Sequence, residues 1–250
     1  MLKETVPLNL VPISGMQGSG KDTLIEDLFN APASSKERIM PFEIMRYTKC
    51  EMTPFEDIME RQVRRIAKYV IDWQRAIKMA KEHPNHMIIT DRCCHDAECY
   101  LTAFQVLGWI TDKHRDWFHD ILEESFRPWN TNQIKPFFLN PPLAFIQQNL
   151  QKRARDGKGK WHESDTDYIE AVFTSYNYYF SKDDPHGVIG FRDAQDVLPA
   201  YEYTGTDRAK RVVDLMICLK RRWQIYKGEI TLPYDEEDPR RWLMTIPPKR

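Results

Sequence analysis

The stretch Gly15-Met16-Gln17-Gly18-Ser19-Gly20-Lys21-Asp22-Thr23 decides how the rest of the chain is read. It follows an apolar run, Leu8-Asn9-Leu10-Val11-Pro12-Ile13, and leads into Thr23-Leu24-Ile25-Glu26-Asp27-Leu28-Phe29, which reads as a helix. A strand, a glycine-rich loop and a helix in that order make an anion site. Glycines let successive backbone N–H groups turn inward, and the helix points its positive end at the same place. Lys21 adds a mobile ammonium able to reach the outer phosphates of a nucleoside triphosphate. Every residue of the stretch except Met16 is a candidate contact to that ligand. The pattern G-x-x-x-x-G-K-[ST] is met by Gly15, Gly20 and Lys21, but Asp22 stands where a magnesium-touching hydroxyl is expected. Asp22 could hold the metal through its waters, or Thr23, one place later, could take over. The competing reading is a glycine turn that merely caps a helix; the strand and helix on either side argue against it.

Composition sets wide bounds. A chain of 250 residues forms one large domain or two small ones and can bury its own core. A net charge of -1 gives no global pull toward nucleic acid, although a local basic patch remains open. The apolar runs are too short to span a bilayer, and the N-terminus lacks a secretory pattern, so no membrane association is expected. Five cysteines without framework spacing fit a reducing, cytoplasmic setting, which is the host cytoplasm if the protein is viral. Cys93, Cys94, His95 and Cys99 match no ordinary zinc spacing and read as buried thiols.

Apolar patterning places strands at 8–13, 42–47, 86–91, 135–140 and 200–204. Helices are expected from the loop to about Phe29, from Pro54-Phe55 to Glu82, over 98–107, 114–126 and 143–155, from about 165 to Phe180, and from about 207 to Trp223. Pro12 is unexpected in a central strand because it removes a ladder donor. The alternation predicts an α/β fold: a parallel sheet of about five strands covered by helices on both faces. Residues 1–223 read as the domain, with a basic lid over about 152–163, and 224–250 as a tail packed on its surface. Ligands in such folds bind at the carboxyl ends of the strands, where both the glycine loop and Asp91 fall.

Several residue types fit phosphoryl transfer. Asp91 can hold magnesium through water, and Arg92 can clasp a phosphate or sugar oxygen with two donors; the alternative for such a pair is a helix cap. Lys152, Arg153, Arg155, Lys158 and Lys160, interrupted by glycines, suit a lid that closes over transferring phosphates, though a solvated basic loop or a nucleic-acid contact would use the same charges. A carboxylate must accept the proton of an attacking hydroxyl, and spacing does not choose between Glu43 and Glu51. Arg46 and Tyr47 could touch the acceptor. Tyr69, Trp73, Gln74 and Phe104 could line a base pocket, or belong to the core.

This order of parts, from about Leu8 to Leu219, resembles the deoxynucleoside kinase and thymidylate kinase group of P-loop kinases. The loop ending Gly20-Lys21-Asp22-Thr23 looks like that of some phage deoxynucleotide kinases, and Ile88-Ile89-Thr90-Asp91-Arg92 resembles the group's strand-end acid-arginine pair. Leu107-Gly108-Trp109-Ile110, Phe138-Leu139-Asn140 with Pro142, and Gln151-Lys152-Arg153-Ala154-Arg155 with Glu163, Tyr168 and Ile169 are similar to the succession in deoxynucleoside kinases. The resemblance implies a three-layer P-loop NTPase fold. It implies that Lys21 binds donor phosphates, Asp91 attends magnesium, Arg92 holds the acceptor, and Arg153 and Arg155 are lid arginines. Three departures stand out: Asp22 in the loop, Cys93 after the acid-arginine pair, and no Glu-Pro after the second strand.

The expected activity is transfer of the γ-phosphoryl of ATP, with Mg2+, to a deoxynucleoside or its monophosphate. A kinase acting on a hydroxymethyl pyrimidine within DNA, as in phages, is the alternative acceptor reading. A non-catalytic nucleotide-binding module is the alternative of another class. A homodimer is compatible with either.

Overall fold

The computed structural model describes residues 4–30, 40–48, 57–129, 136–158, 162–180 and 201–229. Five strands form one sheet in the order β2-β3-β1-β4-β5, all parallel. They are β1 (Leu10–Ser14), β2 (Phe42–Met45), β3 (Met87–Thr90), β4 (Phe137–Leu139) and β5 (Tyr201–Tyr203). Seven helices among the described residues connect them: α1 (Lys21–Asn30), α2 (Ile58–Glu82), α3 (Asp96–Val106), α4 (Asp112–Phe126), α5 (Leu143–Arg155), α6 (Thr166–Phe180) and α7 (Arg208–Tyr226). Strand order reverses around β1, so the glycine loop that follows β1 opens at the switch point of the sheet.

Side-chain alternation explains the three layers. Successive strand residues face opposite sides. Leu10, Ile88 and Phe138 enter one core with α2, α3, α4 and α6. Val11, Ile13, Met87, Ile89, Phe137 and Leu139 enter the other, against α1 and α7. Burying each such side chain contributes about 1.5–3 kcal/mol. Pro12 does lie in the central strand, opposite Thr90. The ladder from β1 to β4 takes in Ile13 and Ser14, past the proline, so its missing donor is tolerated.

Caps set several helix starts. Asp57 caps α2, its carboxylate accepting from Met59 N at 3.2 Å; Pro54, the start expected from sequence, lies outside the described residues. Thr111 caps α4 and Asp207 caps α7. Several boundaries differ from expectation, two of them at helices that matter below. Helix α3 begins at Asp96 rather than 98, and α7 runs on to Tyr226, across the expected domain–tail junction. Residues 230–250 of that tail lie outside the described residues. No helix among the described residues is long and apolar enough to cross a membrane.

Helix α2 turns a partly polar face inward. Val63 is 46% exposed, whereas Gln62 is fully buried beside Arg61, with Ile66, Tyr69 and Trp73 following at helical spacing. Near its start the buried face therefore carries two polar side chains, Arg61 and Gln62, which a core alone would not favour.

Candidate active site

The glycine loop leaves β1 at Ser14 and closes into the first turn of α1 at Lys21. Gly18 has φ +81, and a Cβ there would meet Leu150 at 2.9 Å and Ile146 at 3.1 Å. Only glycine allows both that backbone and the approach of α5. The Asn149 side-chain amide reinforces the contact, donating to Gly18 O at 2.9 Å. On the other flank, a Cβ on Gly20 would collide with the guanidinium of Arg211 from α7. Arg211 in turn lies 3.5 Å from Asp27, which Arg208 clasps with two donors at 2.5 and 2.7 Å.

Lys21 is buried, and its ammonium donates to Gly15 O and, at 2.9 Å, to Met16 O inside the loop. Burial and the nearby Arg92 charge pull its pKa down from 10.5 to about 7, against the opposing pull of Asp96, Asp22 and Asp91. Ser19 Oγ is buried without a hydrogen-bond partner among the described residues. Orphaned polar atoms in a loop lined with backbone amides mark positions that a ligand or water satisfies. Gln17 Oε1 accepts from the Tyr100 hydroxyl at 2.7 Å, which ties the loop to α3.

Carboxylates and guanidiniums gather at the carboxyl ends of β2 and β3. Asp91 follows Thr90; its Oδ1 accepts from Tyr47 N at 2.8 Å, and its Oδ2 lies 3.5 Å from Arg46. Arg46 also pairs with Asp22 at 2.8 Å, so one guanidinium joins the exposed loop acid to the strand-end acid. Thr23 sits half-buried in the same first turn of α1. Arg92 Nη1 reaches Gly15 O at 3.4 Å. Asp22 and Asp91, linked through Arg46, and Thr23 in the first turn of α1 offer oxygens of the kind that could hold a hard cation such as Mg2+.

Other expected residues fall elsewhere. Glu43 is not brought to this group. Its carboxylate contacts His83, and His86 lies 3.6 Å away, both at the entry to β3 and thus toward the opposite end of the sheet. Glu51 and Lys160 lie outside the described residues. Arg153 pairs with buried Glu163 at 2.6 Å at the end of α5, while Lys152, Arg155 and Lys158 are exposed. Of the expected base-pocket residues, Gln74 is exposed, and Trp73 and Phe104 are fully buried, Trp73 edge-on to Phe126 and Phe104 stacked with Tyr168. Those two are core side chains. Tyr69 is buried edge-on to Tyr47.

Three residues at this end escaped the sequence reading. Asp96, fully buried at the start of α3, accepts from the Ser14 hydroxyl and from Cys93 N at 2.8 Å, so it pins the end of β1 to the turn after Arg92. Burial raises its pKa, although Arg92 and Lys21 oppose that shift. Gln62 has both ends of its buried amide without a partner among the described residues. Arg65, one turn further along α2, stacks over Tyr100 with its guanidinium carbon 4.4 Å from the ring centre. An acidic residue in a first helical turn, or a glutamine in a helix, is too common for spacing alone to single it out.

The fold and this site define a class: parallel three-layer α/β proteins with a phosphate-type loop at the strand switch. Within that class, the chain shares its fold with deoxyadenosine kinase from M. mycoides. The structure of that enzyme with bound dATP matches with a TM-score of 0.59 at 16% identity, covering 84% of this chain and 98% of that one. Its structure with the products dCMP and a flexible dCDP gives 0.56 at 15% identity, over 85% and 99%. Its structure with bound dCTP gives 0.55 at 14% identity, over 85% and 98%. No family model matches the sequence, and no curated protein matches it.

Proposed function

We propose that the protein is a kinase that transfers the γ-phosphoryl of ATP to a hydroxyl of a deoxynucleoside or to the phosphate of its monophosphate. One observation carries the reading: the glycine loop holds a buried Lys21 ammonium at the strand switch, and Asp91, Arg92 and Asp96 converge on it. A helix start, inward amides and an ammonium suit the β- and γ-phosphates, and the neighbouring guanidiniums suit the charge that spreads over the transferring group. Asp22, Thr23 and Asp91 would hold Mg2+, which when bound would offset phosphate charge. Arg92 would orient the acceptor from the Gly15 side. Gln62 presents an unsatisfied donor and acceptor on one planar group, the complement of a nucleobase edge. With Glu43 drawn away by the two histidines, Glu51 remains the proton acceptor of the expected pair. Arg153 and Arg155 at the end of α5 would approach the phosphates from the lid. The similar enzyme is a deoxyadenosine kinase seen with dCMP and dCDP as products, which supports a deoxynucleoside acceptor.

The deciding experiment is a panel of deoxynucleosides, deoxynucleoside monophosphates and hydroxymethylpyrimidine-containing DNA, each incubated with γ-labelled ATP and Mg2+. Label on a deoxynucleoside or its monophosphate supports the proposal. Label on DNA alone moves the acceptor to the polymer, and no transfer with intact ATP binding would make the protein a nucleotide-binding module.

A further inference from the structure

The turn between α2 and β3 carries chemistry that the phosphate-loop end leaves unused. Its sequence is His83-Pro84-Asn85-His86. The His83 N–H closes α2 by donating to Met79 O at 2.9 Å, and the His86 N–H donates to His83 O at 3.0 Å. Beneath the turn, fully buried Asn9 directs its amide at three carbonyls: Ala80 at 2.9 Å, His83 at 3.3 Å and His86 at 3.0 Å. The backbone bearing both imidazoles is therefore fixed from below. Glu43 comes from β2, whose pairing sets it opposite Ile88.

Three ligand-type atoms meet there. Glu43 Oε1 contacts His83 Nδ1 and lies 3.6 Å from His86 Nδ1, and one donor atom from each residue lies within 4.8 Å of the others. The two rings stand 6.1 Å apart at 64°, edge to face rather than stacked. All three side chains are partly open to solvent, at 40%, 40% and 31% exposure, so an ion can enter without the fold opening.

We propose that Glu43, His83 and His86 form a binding site for a borderline divalent transition metal, of which Zn2+ is the representative, at the amino-terminal end of the sheet. The proposal does not rest on the kinase reading. Two imidazoles and one carboxylate are the donor set such ions take, with a fourth position left to water. Metal–ligand bonds of about 2.0–2.1 Å place tetrahedral donors about 3.3 Å apart, close to the His86–Glu43 separation. The Glu43–His83 contact would open by side-chain rotation to admit the ion. Mg2+ prefers all-oxygen octahedral shells, so this site and the oxygen cluster near Asp91 select different ions. A bound ion would tie β2 to the α2–β3 turn through side chains as well as through the ladder. The second cluster of ligand-type residues among those described, Cys93, Cys94 and His95, has fully buried thiols, and burial pushes the Cys94 thiol pKa up, against the thiolate that a metal requires.

The test uses the full chain, stripped with chelator and titrated calorimetrically with Zn2+ near neutral pH, with Co2+ absorption as a second reading of ligand geometry. One ion per chain should bind with a Kd of about 10 µM or tighter. Binding should weaken at least about tenfold in His86→Gln and in Glu43→Gln, and stay unchanged in Asp91→Asn and Cys94→Ser. Zn2+ should raise the unfolding temperature of the parent protein, reversibly on adding chelator, but not that of His86→Gln. Circular dichroism establishes that each variant is folded, and His86→Gln alone decides the matter if Glu43→Gln is not. No saturable binding below about 100 µM would overturn the site. So would full binding in His86→Gln, or loss of binding in Asp91→Asn or Cys94→Ser.

Discussion

In the proposed kinase Lys21 is the residue on which the chemistry would turn, and its environment makes two expectations measurable. Lys21→Ala should abolish phosphoryl transfer while leaving the far-ultraviolet circular dichroism unchanged; retained turnover would remove the phosphate-loop reading. The second concerns protons. Burial and Arg92 depress this ammonium from 10.5 to about 7. Between those values the unfolded chain carries a proton that the folded protein lacks, so this group makes stability rise with pH from about 7 to 10.5 and weigh fully against the fold below that window. A bound triphosphate restores the charge by opposing it. ATP binding at a pH between these limits should therefore take up close to one proton, seen as a dependence of calorimetric heat on buffer ionisation enthalpy. The uptake should vanish well below the window and in Lys21→Met. Asp91→Asn should lower turnover more than nucleotide affinity, because charge held at the transferring group acts mainly in the transition state. Equal losses in kcat and in ATP Kd would instead make Asp91 a structural residue.

Among single residues, those that carry a local pattern were legible and those defined by distant partners were not. The loop from Gly15 to Thr23 and the pair Asp91-Arg92 announce themselves through spacing and strand context. Asp96 matters because Ser14, 82 residues away in sequence, donates to it. Gln62 stands out because no described residue satisfies its amide. Glu43 misled because a carboxylate on a strand has no visible direction until its neighbours are placed; the histidines that close α2 and precede β3 hold it at the wrong end of the sheet.

At the scale of elements, the glycine loop packs directly on α5. Gly18 lies under Leu150 and Ile146, and Asn149 donates to its carbonyl. Gly18→Ala adds a methyl where the backbone is left-handed and the nearest carbons already stand at 2.9 to 3.1 Å. A loss of about 1–3 kcal/mol is expected in denaturant unfolding, with weakened ATP binding as α5 is pushed off the loop. An unchanged denaturation midpoint would mean that α5 gives way without cost. Element types were readable because the periods are strong, and the order of strands and helices followed from them. Boundaries were less so. Helix α7 passes Trp223 because Trp223 still packs on the α1–α7 core, a tertiary contact with no local signature. Helix α2 was hard to orient for another reason: its buried polar residues, Arg61 and Gln62, interrupt the apolar stripe from which an inward face is read.

For the molecule as a whole, stability comes from two cores divided by one thin sheet. Phe138 belongs to the α2–α6 side, near-parallel to Tyr176 with ring centres 6.3 Å apart and 5.2 Å from Phe180; Leu139 belongs to the other. Phe138→Ala should cost about 3–5 kcal/mol and Leu139→Ala about 2–5 kcal/mol in equilibrium unfolding. A cost well below about 1 kcal/mol for either would show that layer able to collapse around the gap.

β1 threads both layers and ends on the hydroxyl that Asp96 holds, one residue before the loop begins. Removing or adding a single amino acid within it would exchange the two hydrophobic faces and, in the same stroke, drag the anion cradle out of line with the acids across from it. The length of this strand is therefore held by two requirements at once, the register of the layers and the position of the loop.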